Sequence, residues 1–562
     1  MRHALPLLAL LFLTLTPTQA QESEVPKAPW LSEMRDVAIP MRDGKSLAAN
    51  VLLPKKEGRY PCILVQTPYN KNNMGREFGD AERAGEAGRG SAKAWGRFDR
   101  ENYAYVFVDW RGFFGSRAAQ QGVNRRTWRR GQDGYDCVEW CAAQNWCNGK
   151  VGTWGGSALG KQQFDTASEQ PPHLVCAAPL IAYQGSRYES YYEGGVKLEA
   201  HVNALDRLGF GVGEMVSRFP QPDSQIWSIA RSNSYTPEKI QVPCLLVSGW
   251  WDNYPRDVID NYSDLVTRGG EATRKHTRLV MGPWAHTAID MPRQGDLEFK
   301  GGEDYSTSVT LKFFDYFLRE QKDNGYDKLP RVHFYQCGED RWLTAESVAG
   351  FKRDLLQLNL HRAGEISAAE VRPVAEGESF SRAFTYDPRQ ASPTLGGANL
   401  PPMSYGPKDN AALLKRKDVL VYSTGKLEEP LALLGSAELE LTITVNRVDC
   451  DIHLRLLDDD GKGAYLVAEG IQRARYATGK LALLKPGEPV TLKVRLNPNV
   501  YTFAKGHEMK LVVTGGNSPR YERNTHTGAD HWDEAKALDA EIAVDHSPRL
   551  APVLRLPVAA RP

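Results

Sequence analysis

Residues 155–160, with the sequence GGSALG, constrain the fold of this chain more than any other segment. They carry a serine, Ser157, between a strand-like run at 150–154 and a stretch of helical composition at 161–168. A nucleophilic serine on a strand-to-helix turn needs small neighbours, because strand and helix pass within van der Waals contact there. Three glycines supply them, although the last stands three positions after the serine instead of two. The segment predicts a nucleophile elbow, with an ordinary Gly–Ser loop as the alternative.

Two strand-like runs downstream of the serine each end in a candidate catalytic partner. The apolar run 242–249 leads to Asp252, and the run 277–281 leads to His286. An α/β-hydrolase carries its triad in the order serine, acid, histidine, and open α/β sheets hold their sites at the carboxyl ends of strands. A turn or N-cap role for Asp252 and a structural role for His286 are the alternatives. A second candidate acid, Asp290, follows the histidine, which argues against it.

Six motifs of this chain resemble those of one family, in the same order. They are residues 37–44, 66–71, 109–116, 136–146, 249–252 and 282–286. On these motifs the chain is similar to the cocaine esterase / X-prolyl dipeptidyl aminopeptidase superfamily of serine hydrolases. That superfamily also holds the α-amino acid ester hydrolases and the glutaryl acylases. The resemblance extends over nearly all of the chain from position 21 onwards.

The resemblance implies a role for each candidate residue. It makes Ser157 the nucleophile, Asp252 the orienting acid and His286 the general base. Tyr69 matches the oxyanion tyrosine, which acts with the backbone N–H of the residue after the serine, here Ala158. One preorganised donor to a tetrahedral oxyanion lowers the barrier by about 3–4 kcal/mol. A packed turn aromatic is the alternative for Tyr69. The family usually has tyrosine where this chain has Ala158, so we expect a smaller and less polar pocket floor.

The pattern of apolar residues divides the chain into regions. Residues 21–345 alternate strand-like and helix-like stretches, which predicts an α/β-hydrolase domain built on a parallel sheet. The alternation breaks at about 184–238, where we expect a helical cap inserted between nucleophile and acid. Residues 346–562 read as short alternating strands and predict a β-sandwich or jelly roll of the galactose-binding type. Inside that domain we expect a structural His507 and a hairpin turn, not a calcium loop, at residues 460–461.

Residues 1–20 predict a secretory signal peptide that is cleaved near Ala20. They combine a basic start, an apolar core at 4–15 and a small-residue cleavage site. The apolar core is too short to span a membrane. We therefore expect an exported protein, periplasmic or secreted, with no membrane span. Eight cysteines permit disulfides in such a protein, and Cys137, Cys141 and Cys147 are the best local candidates for a bridge.

The net charge and the sequence motifs limit the kinds of molecule that this chain is expected to bind. The net charge of +1, from 70 basic and 69 acidic residues, gives no electrostatic basis for binding nucleic acid. The sequence contains no Cys/His pattern with zinc spacing, no P-loop and no dinucleotide-binding glycine motif. We therefore expect no metal and no cofactor, and a small-molecule ester, amide or peptide as the substrate.

Three functions are compatible with these observations. The favoured one is a serine hydrolase of esters or amides, the second is an X-prolyl dipeptidyl-peptidase-type aminopeptidase, and the third is a non-catalytic carbohydrate- or surface-binding protein. An aminopeptidase needs carboxylates to bind an ammonium group. The acidic residues that α-amino acid ester hydrolases carry after the catalytic aspartate are replaced here by residues 253–255, Asn-Tyr-Pro. Candidate replacements in the cap are Glu189, Glu193 and Glu199. Candidate substrate-binding aromatics are Trp251, Trp284, Tyr188, Tyr191 and Tyr192.

Overall fold

A computed structural model describes residues 31–74, 99–124, 128–372 and 379–560. The predicted signal peptide lies outside these residues. Within them, every helix is too short or too polar to cross a membrane.

The strands β1 to β14 lie between positions 31 and 345. Their bounds are β1 (Leu31–Pro40), β2 (Ser46–Pro54), β3 (Tyr60–Thr67), β4 (Ala104–Asp109), β5 (Cys147–Gly156), β6 (Leu174–Leu180), β7 (Tyr192–Glu193), β8 (Val196–Lys197), β9 (Leu245–Trp251), β10 (Arg278–Ala285), β11 (Arg293–Gln294), β12 (Leu297–Glu298), β13 (Val332–Gln336) and β14 (Arg341–Ala345). The helices are α1 (Arg130–Ala142), α2 (Ala158–Ser168), α3 (Glu199–Arg207), α4 (Gly213–Arg218), α5 (Gln225–Ser234), α6 (Pro255–Arg268), α7 (Glu271–His276) and α8 (Tyr305–Phe317).

Ten of these strands form one mixed sheet in the order β1-β2-β4-β3-β5-β6-β9-β10-β13-β14. The six pairings from β4 to β13 are parallel, and antiparallel pairs close the sheet at both edges. Strands β4, β9, β10 and β13 are buried over their whole length, because helices cover both faces of the sheet. Helices α1, α2 and α6 join the core on one face, and α8 joins the core on the other.

The chain leaves this sheet between β6 and β9. The intervening residues form the β7–β8 hairpin and the helices α3, α4 and α5. They have a small core of their own, made by Tyr188, Tyr192, Val202, Val216 and Trp227. This insertion lies over the carboxyl ends of the strands that carry the candidate triad, since α3 contributes side chains to the cavity described below.

From residue 353 onwards the described strands pair only antiparallel to one another within two sheets. The strands are β15 (Arg353–Leu360), β16 (Ile366–Ser367), β17 (Ser381–Tyr386), β18 (Val419–Lys426), β19 (Leu431–Gly435), β20 (Glu438–Val445), β21 (Asp451–Asp459), β22 (Ala464–Arg473), β23 (Pro489–Arg495), β24 (Asn499–Phe503), β25 (Glu508–Thr514), β26 (Ala540–Asp545) and β27 (Val553–Ala559). A nine-stranded sheet and the four-stranded sheet β18-β25-β21-β22 share a continuous core. The predicted fold class, an α/β-hydrolase followed by an all-β region, is confirmed.

The hairpin predicted around residues 460–461 is present. Strands β21 and β22 pair antiparallel, and the backbone N–H of Asp460 donates to the carbonyl of Gly463 at 3.2 Å. The Asp460 carboxylate accepts the N–H groups of Lys462 and Gly463, so it stabilises the turn itself.

The disulfide considered for the helix-borne cysteines is not formed. All eight cysteines are free and buried. Cys137 and Cys141 lie one turn apart on α1 and face the core beneath the sheet, and Cys62 of β3 lies against Cys141. Burial raises the pKa of all three thiols, which keeps them protonated. They fill the core as small apolar groups.

Candidate active site

Ser157 occupies a sharp turn between β5 and α2. Its φ of 59° and ψ of −121° lie where residues with a side chain seldom go. Two flanking glycines make the turn possible. A Cβ on Gly155, whose φ is 136°, would lie 2.7 Å from Cβ of Leu159, and one on Gly160 would lie 2.5 Å from Cβ of Ala182. Side chains have no room at these positions, and the serine is held in the geometry of a nucleophile elbow.

Asp252 and His286 form a short hydrogen bond. Asp252 directly follows β9 and His286 directly follows β10, and these two strands are parallel neighbours. His286 Nδ1 lies 2.6 Å from Oδ1 of Asp252. The carboxylate is completely buried, and the imidazole is 6% exposed. Because a carboxylate accepts, Nδ1 carries the hydrogen and Nε2 is left with a free lone pair.

The Asp252 carboxylate has further donors that fix its orientation. Ser248 donates its hydroxyl to Oδ2 at 2.6 Å, and the backbone N–H of Asn253 donates to Oδ1 at 2.6 Å. A buried carboxylate with three donors remains in place when the imidazole moves or becomes charged. Asp252 can therefore hold His286 in one rotamer and one tautomer.

Tyr69 brings its hydroxyl to the serine. It follows β3, where its backbone N–H donates to Oγ1 of Thr67 at 2.9 Å. The phenol hydroxyl interacts with the side chain of Ser157 and with the backbone N–H of Ala158. Burial raises the pKa of Tyr69 above its usual value, so the hydroxyl stays protonated and can donate at neutral pH. The phenol O–H and the Ala158 N–H thus lie together beside Ser157.

Ser157, His286 and Tyr69 line one cavity of about 400 Å³. Helix α3 and the residue after it contribute positions 201, 204, 205 and 208 from one helical face, and Arg207 reaches the cavity as well. Leu400 and Pro401 reach the same cavity from the all-β region. The apolar lining is Met74, Trp154, Leu159, Leu180, Ile181, Ala204, Leu205, Leu208, Ile289, Leu400 and Pro401. No carboxylate lines the cavity among the residues that the structure describes.

Two polar side chains of the cavity, His201 and Tyr254, were not predicted from the sequence as site residues. The Tyr254 ring packs edge-on against His286 and against His201, with ring centroids 5.8 and 5.7 Å apart. Its hydroxyl lies 3.0 Å from Nε2 of His201, and the Asn253 amide nitrogen lies 3.3 Å from Nδ1. Burial, aided by the nearby His286, lowers the pKa of His201 to about 3, so this imidazole is neutral.

The sequence held only a partial signal for this pair. Tyr254 lies two residues after the candidate acid, so its proximity to the site could have been inferred. His201 lies on an amphipathic cap helix, where nothing in the local pattern distinguishes a cavity-facing histidine from a core histidine.

The five aromatics proposed for substrate binding lie elsewhere than in the described lining of the cavity. The indole N–H of Trp251 donates to the carbonyl of Leu466 at 3.2 Å, and that of Trp284 donates to Gly302 at 3.2 Å. Tyr188 and Tyr192 stack on each other, with ring centroids 4.5 Å apart. These two rings and Tyr191 pack around Trp227 in the core of the insertion. All five side chains serve packing, because the sheet and the insertion need large apolar groups at these positions.

The other candidate carboxylates lie outside the described lining of the cavity. Asp290 accepts hydrogen bonds from the backbone N–H and the hydroxyl of both Ser306 and Thr307, at 2.7–2.8 Å, and so caps the start of α8. Glu193 accepts from the Tyr521 hydroxyl at 2.7 Å. Glu189 and Glu199 are also absent from the described lining. His507, expected to be structural, lies 3.0 Å from the carboxylate of Asp458 in the all-β region.

The described residues contain no group of three or more His, Cys, Asp or Glu arranged to hold a metal ion. The site consists of an elbow serine, a carboxylate-bound imidazole and, beside the serine, a phenol hydroxyl and a backbone N–H. This is the set of groups that acyl transfer through a serine requires.

Comparisons with known proteins agree with the fold and with the class of enzyme. Residues 43–231 and 214–288 match the family of X-Pro dipeptidyl-peptidases (S15 family). Residues 324–549 match the C-terminal non-catalytic domain of X-Pro dipeptidyl-peptidases. That second match begins before β13 and β14, which the structure assigns to the first sheet.

Individual relatives include both esterases and aminopeptidases. The chain is 26% identical over 553 residues to the cocaine esterase of Rhodococcus sp. (strain MB1 Bresler), covering 88% of this chain and 92% of the relative. An aminopeptidase from a marine sediment Thaumarchaeota archaeon superposes with a TM-score of 0.77 at 20% identity, covering 97% of this chain and 99% of the other. An α-amino acid ester hydrolase superposes with a TM-score of 0.76 at 21% identity, covering 98% and 100%.

Proposed function

The chain belongs to the cocaine esterase / X-Pro dipeptidyl-peptidase superfamily and is a serine hydrolase, and from this premise we propose that Ser157, His286 and Asp252 are its catalytic triad. The observation that carries the proposal is the combination of a serine at φ 59° with a 2.6 Å His286–Asp252 hydrogen bond beside one cavity. Packing alone requires neither the strained serine nor the buried carboxylate–imidazole pair.

The proposed reaction proceeds through an acyl-enzyme. The Ser157 Oγ attacks the carbonyl carbon of the substrate while Nε2 of His286 takes the hydroxyl proton. The tetrahedral intermediate collapses, the bond to the leaving alcohol or amine breaks, and His286 returns the proton to that leaving group. Water then attacks the acyl-enzyme in the same way, which releases the carboxylic acid and restores the serine. Asp252 stays ionised and stabilises the imidazolium.

Two donors stabilise the oxyanion in this proposal, the Tyr69 hydroxyl and the Ala158 backbone N–H. Their position beside the Ser157 side chain supports the assignment, since the oxyanion forms on the carbon atom that bonds to the Ser157 oxygen. The buried phenol keeps its proton at neutral pH, so it is available as a donor without reorganisation. The third function considered, a non-catalytic binding protein, has no use for this arrangement.

We propose an ester or amide with a largely apolar acyl group as the substrate. Leucine, isoleucine, methionine and tryptophan side chains dominate the cavity of about 400 Å³. An α-ammonium group would be desolvated there without a carboxylate among the described lining residues, at a cost of several kcal/mol. The neutral His201 and the Tyr254 hydroxyl offer it no negative charge. The lining therefore favours an esterase or acylase over a dipeptidyl-peptidase.

Export is part of the proposal and rests on the sequence of residues 1–20. A cleaved signal peptide would deliver the enzyme to the periplasm or the medium. The measurement is the N-terminal sequence of the protein recovered from a fractionated host culture. We expect the mature chain to begin close to residue 21 in the exported fraction.

The decisive experiment combines labelling with kinetics. Wild-type enzyme should react with a fluorophosphonate probe, because only an activated serine attacks phosphorus at a useful rate. Ser157→Ala should prevent labelling and lower kcat by several orders of magnitude, with an unchanged melting temperature. The matched control is Ser232→Ala, an exposed hydroxyl on α5. Turnover above a few per cent in Ser157→Ala would refute the assignment.

The peptidase alternative requires a substrate comparison. Purified enzyme is offered paired chromogenic esters, amides and Xaa-Pro substrates with the same leaving group. We expect the highest kcat/KM for esters with apolar acyl groups. A higher kcat/KM for the Xaa-Pro substrates would assign the chain to the dipeptidyl-peptidases instead.

A further inference from the structure

A second cavity, larger than the catalytic one, lies beside it. Its volume is about 740 Å³, against about 400 Å³ for the cavity that contains Ser157. The two cavities share Arg207 and Leu208 at the end of helix α3. The second cavity is formed mainly by the turn that follows β4, by the start of α1 and by the loop after α3. The mechanism proposed above uses none of its other lining residues.

One side of the second cavity is aromatic. Trp110 and Phe113 meet edge to face with centroids 6.1 Å apart, and Phe210 lies 6.2 Å from Trp110 and 6.0 Å from Phe113. Phe114 is 45% exposed and has a φ of 37°, in the left-handed region that a phenylalanine seldom adopts. An exposed aromatic ring held in a strained backbone conformation is costly for stability, which points to a use for that ring at the cavity.

The charge of the cavity is positive. Arg111 is buried and balanced, because it binds Asp133 at 2.7 Å and Asp43 at 2.9 Å. Asp133 is the one carboxylate among the described lining residues, and Arg111 occupies both of its oxygens. Arg117 and Arg207 have no ion-pair partner in the described part of the chain. The excess charge of the lining is therefore cationic.

Arg130 connects the charged side chains of the second cavity with its aromatic side. Its guanidinium lies over the Trp110 ring, 4.2 Å from the centroid, and its carboxylate partner, Asp165, is 3.9 Å away. A guanidinium stacked on an indole keeps its edge available for a planar anion. Arg130 thus presents donors next to an aromatic surface.

Two buried polar atoms of the lining lack partners in the described residues. The indole N–H of Trp110, a residue 4% exposed, has no acceptor, and the side-chain oxygen of Gln162, 1% exposed, has no donor. A buried donor without an acceptor is rare, and its cost is removed when a ligand supplies the missing partner. The Trp110 N–H, like the arginines, requires an acceptor.

We propose that this second cavity binds an aromatic carboxylate. The ring packs against the aromatic side formed by residues 110, 113, 114 and 210, and the carboxylate binds the arginines, with Arg130 and Arg117 as the principal cations. The adjoining catalytic cavity releases a carboxylic acid in the proposed reaction, so an aromatic acid product is one source of this ligand. A separate aromatic acid is the other source. Binding as such does not depend on the triad; only the product source rests on the proposed function.

The test measures the binding of benzoate to the full chain by tryptophan fluorescence and by calorimetry. Benzamide, a neutral molecule of the same shape, is the comparison ligand. We expect benzoate to bind at least tenfold more tightly than benzamide and to weaken as salt is raised. Arg117→Gln combined with Arg130→Gln should weaken benzoate at least tenfold. The control is Arg218→Gln, at the end of α4 and outside the lining. Equal affinities for the two probes, or benzoate affinity unchanged in the double variant, would overturn the proposal.

A second measurement separates the two cavities. Benzoate binding is repeated on enzyme treated with a bulky fluorophosphonate, which fills the catalytic cavity. Retained binding assigns benzoate to the second cavity, and lost binding assigns it to the catalytic cavity and refutes the proposal. If the serine fails to label, the proposed function fails, while the arginine variants still test the binding site.

Inhibition distinguishes the two sources of the ligand. Benzoate that inhibits the wild-type ester hydrolysis, and does so less in the double variant, identifies the acid product as the ligand. Benzoate that binds without affecting turnover identifies a separate aromatic acid.

Discussion

At the scale of single residues, each side chain proposed for the reaction is held in place by other residues of the protein. Ser157 is held by a strained turn, and Asp252 by two donors besides His286. Such preorganisation means that little reorganisation is needed when charge develops in the transition state. It also means that each side chain can be altered separately, which makes the roles testable.

Removal of the Tyr69 hydroxyl tests the oxyanion assignment. Tyr69→Phe keeps the ring and deletes one donor, so kcat should fall by roughly 100- to 1000-fold with KM little changed, because the full charge exists only near the transition state. Steady-state kinetics on one good ester, with a melting curve, measures this. A matched control is Tyr235→Phe, which removes a phenol hydroxyl bound to Asp264 away from the cavity. Wild-type kcat in Tyr69→Phe would leave only the Ala158 N–H as an assigned donor.

The proposed role of Asp252, which is to orient His286, can be tested against a second Asp–His pair in the same molecule. Asp252→Asn should lower kcat by roughly 1000-fold or more, because an amide cannot hold His286 in the productive tautomer or stabilise its charge. Asp458→Asn alters a second Asp–His pair, whose Nδ1–Oδ1 distance is 3.0 Å, in the all-β region. We expect wild-type kcat in that variant. Equal loss of activity in both variants would indicate a folding defect and contradict the assigned role.

At the scale of elements, the role of each candidate catalytic residue depends on the strand end or helix start beside which it lies. Asp252 and His286 follow adjacent parallel strands and therefore meet, although 34 residues separate them. Asp290 is only four residues from the histidine, but the chain turns at a φ of 61° and aims its carboxylate at the first turn of α8. Sequence distance therefore predicts the acid less well than strand order does.

Asp290 caps the first turn of helix α8, so we expect its removal to lower the stability of the protein without lowering kcat. Asp290→Ala leaves two backbone N–H groups and two hydroxyls without their acceptor, so the free energy of unfolding should fall by about 2–4 kcal/mol. The triad does not use this carboxylate, so kcat of the folded fraction should stay within a few-fold of wild type. Chemical denaturation and active-site titration measure the two quantities. Asp323→Ala, an exposed carboxylate beyond α8, is the control. If kcat fell by 1000-fold while stability was unchanged, Asp290 would be the catalytic acid.

At the scale of the whole molecule, the all-β region completes the cavity that contains Ser157. Leu400 and Pro401 line the catalytic cavity, and the Trp251 indole donates to the carbonyl of Leu466. The insertion is also tied to this region, because Lys197 pairs with Glu522 at 2.8 Å. The region called non-catalytic in the related family thus contributes to the shape of the cavity in this chain.

Buried neutral histidines of the all-β region make the stability of the molecule depend on pH. His546 donates from Nδ1 to the carbonyl of Val544 and accepts the Tyr422 hydroxyl at Nε2, each at 2.9 Å. Burial lowers the pKa of His546 to about 4, and that of His453 to about 4. The unfolded chain takes up these protons near pH 6.5 and the native state does not. The free energy of unfolding therefore falls as the pH drops from about 6.5 towards 4.

His546→Gln should remove part of this dependence. Between pH 7 and pH 5 one such histidine contributes about 2 kcal/mol to the loss of stability, so the variant should lose about 2 kcal/mol less than wild type over that range. It should be less stable than wild type at pH 7, because the two hydrogen bonds are altered. Denaturant unfolding at both pH values is the measurement, with the exposed His531→Gln as control. Parallel losses in wild type and His546→Gln would contradict the explanation.

The sequence alone determined the features that depend on local chemistry and on order along the chain. A strand and a helix that pass as closely as those around Ser157 require glycines at the turn. Six residues of sequence are therefore enough to predict the elbow. Continuous apolar runs before Asp252 and His286 reflect strands buried on both faces, and the order of the motifs identified the family. Local pattern also predicted an insertion and a change to alternating strands near residue 346.

Only the tertiary structure decided which side chains share a cavity. His201 of the insertion and Leu400 of the all-β region come together with Ser157 of the first sheet, and no periodicity within one element records such a meeting. The aromatics singled out in the sequence belong to cores, because a large ring serves packing and binding equally well and only its surroundings distinguish the two. The free thiols in place of a bridge, the helix-capping role of Asp290 and the cationic second cavity follow for the same reason. Each depends on the direction of a side chain in space, which the sequence does not specify locally.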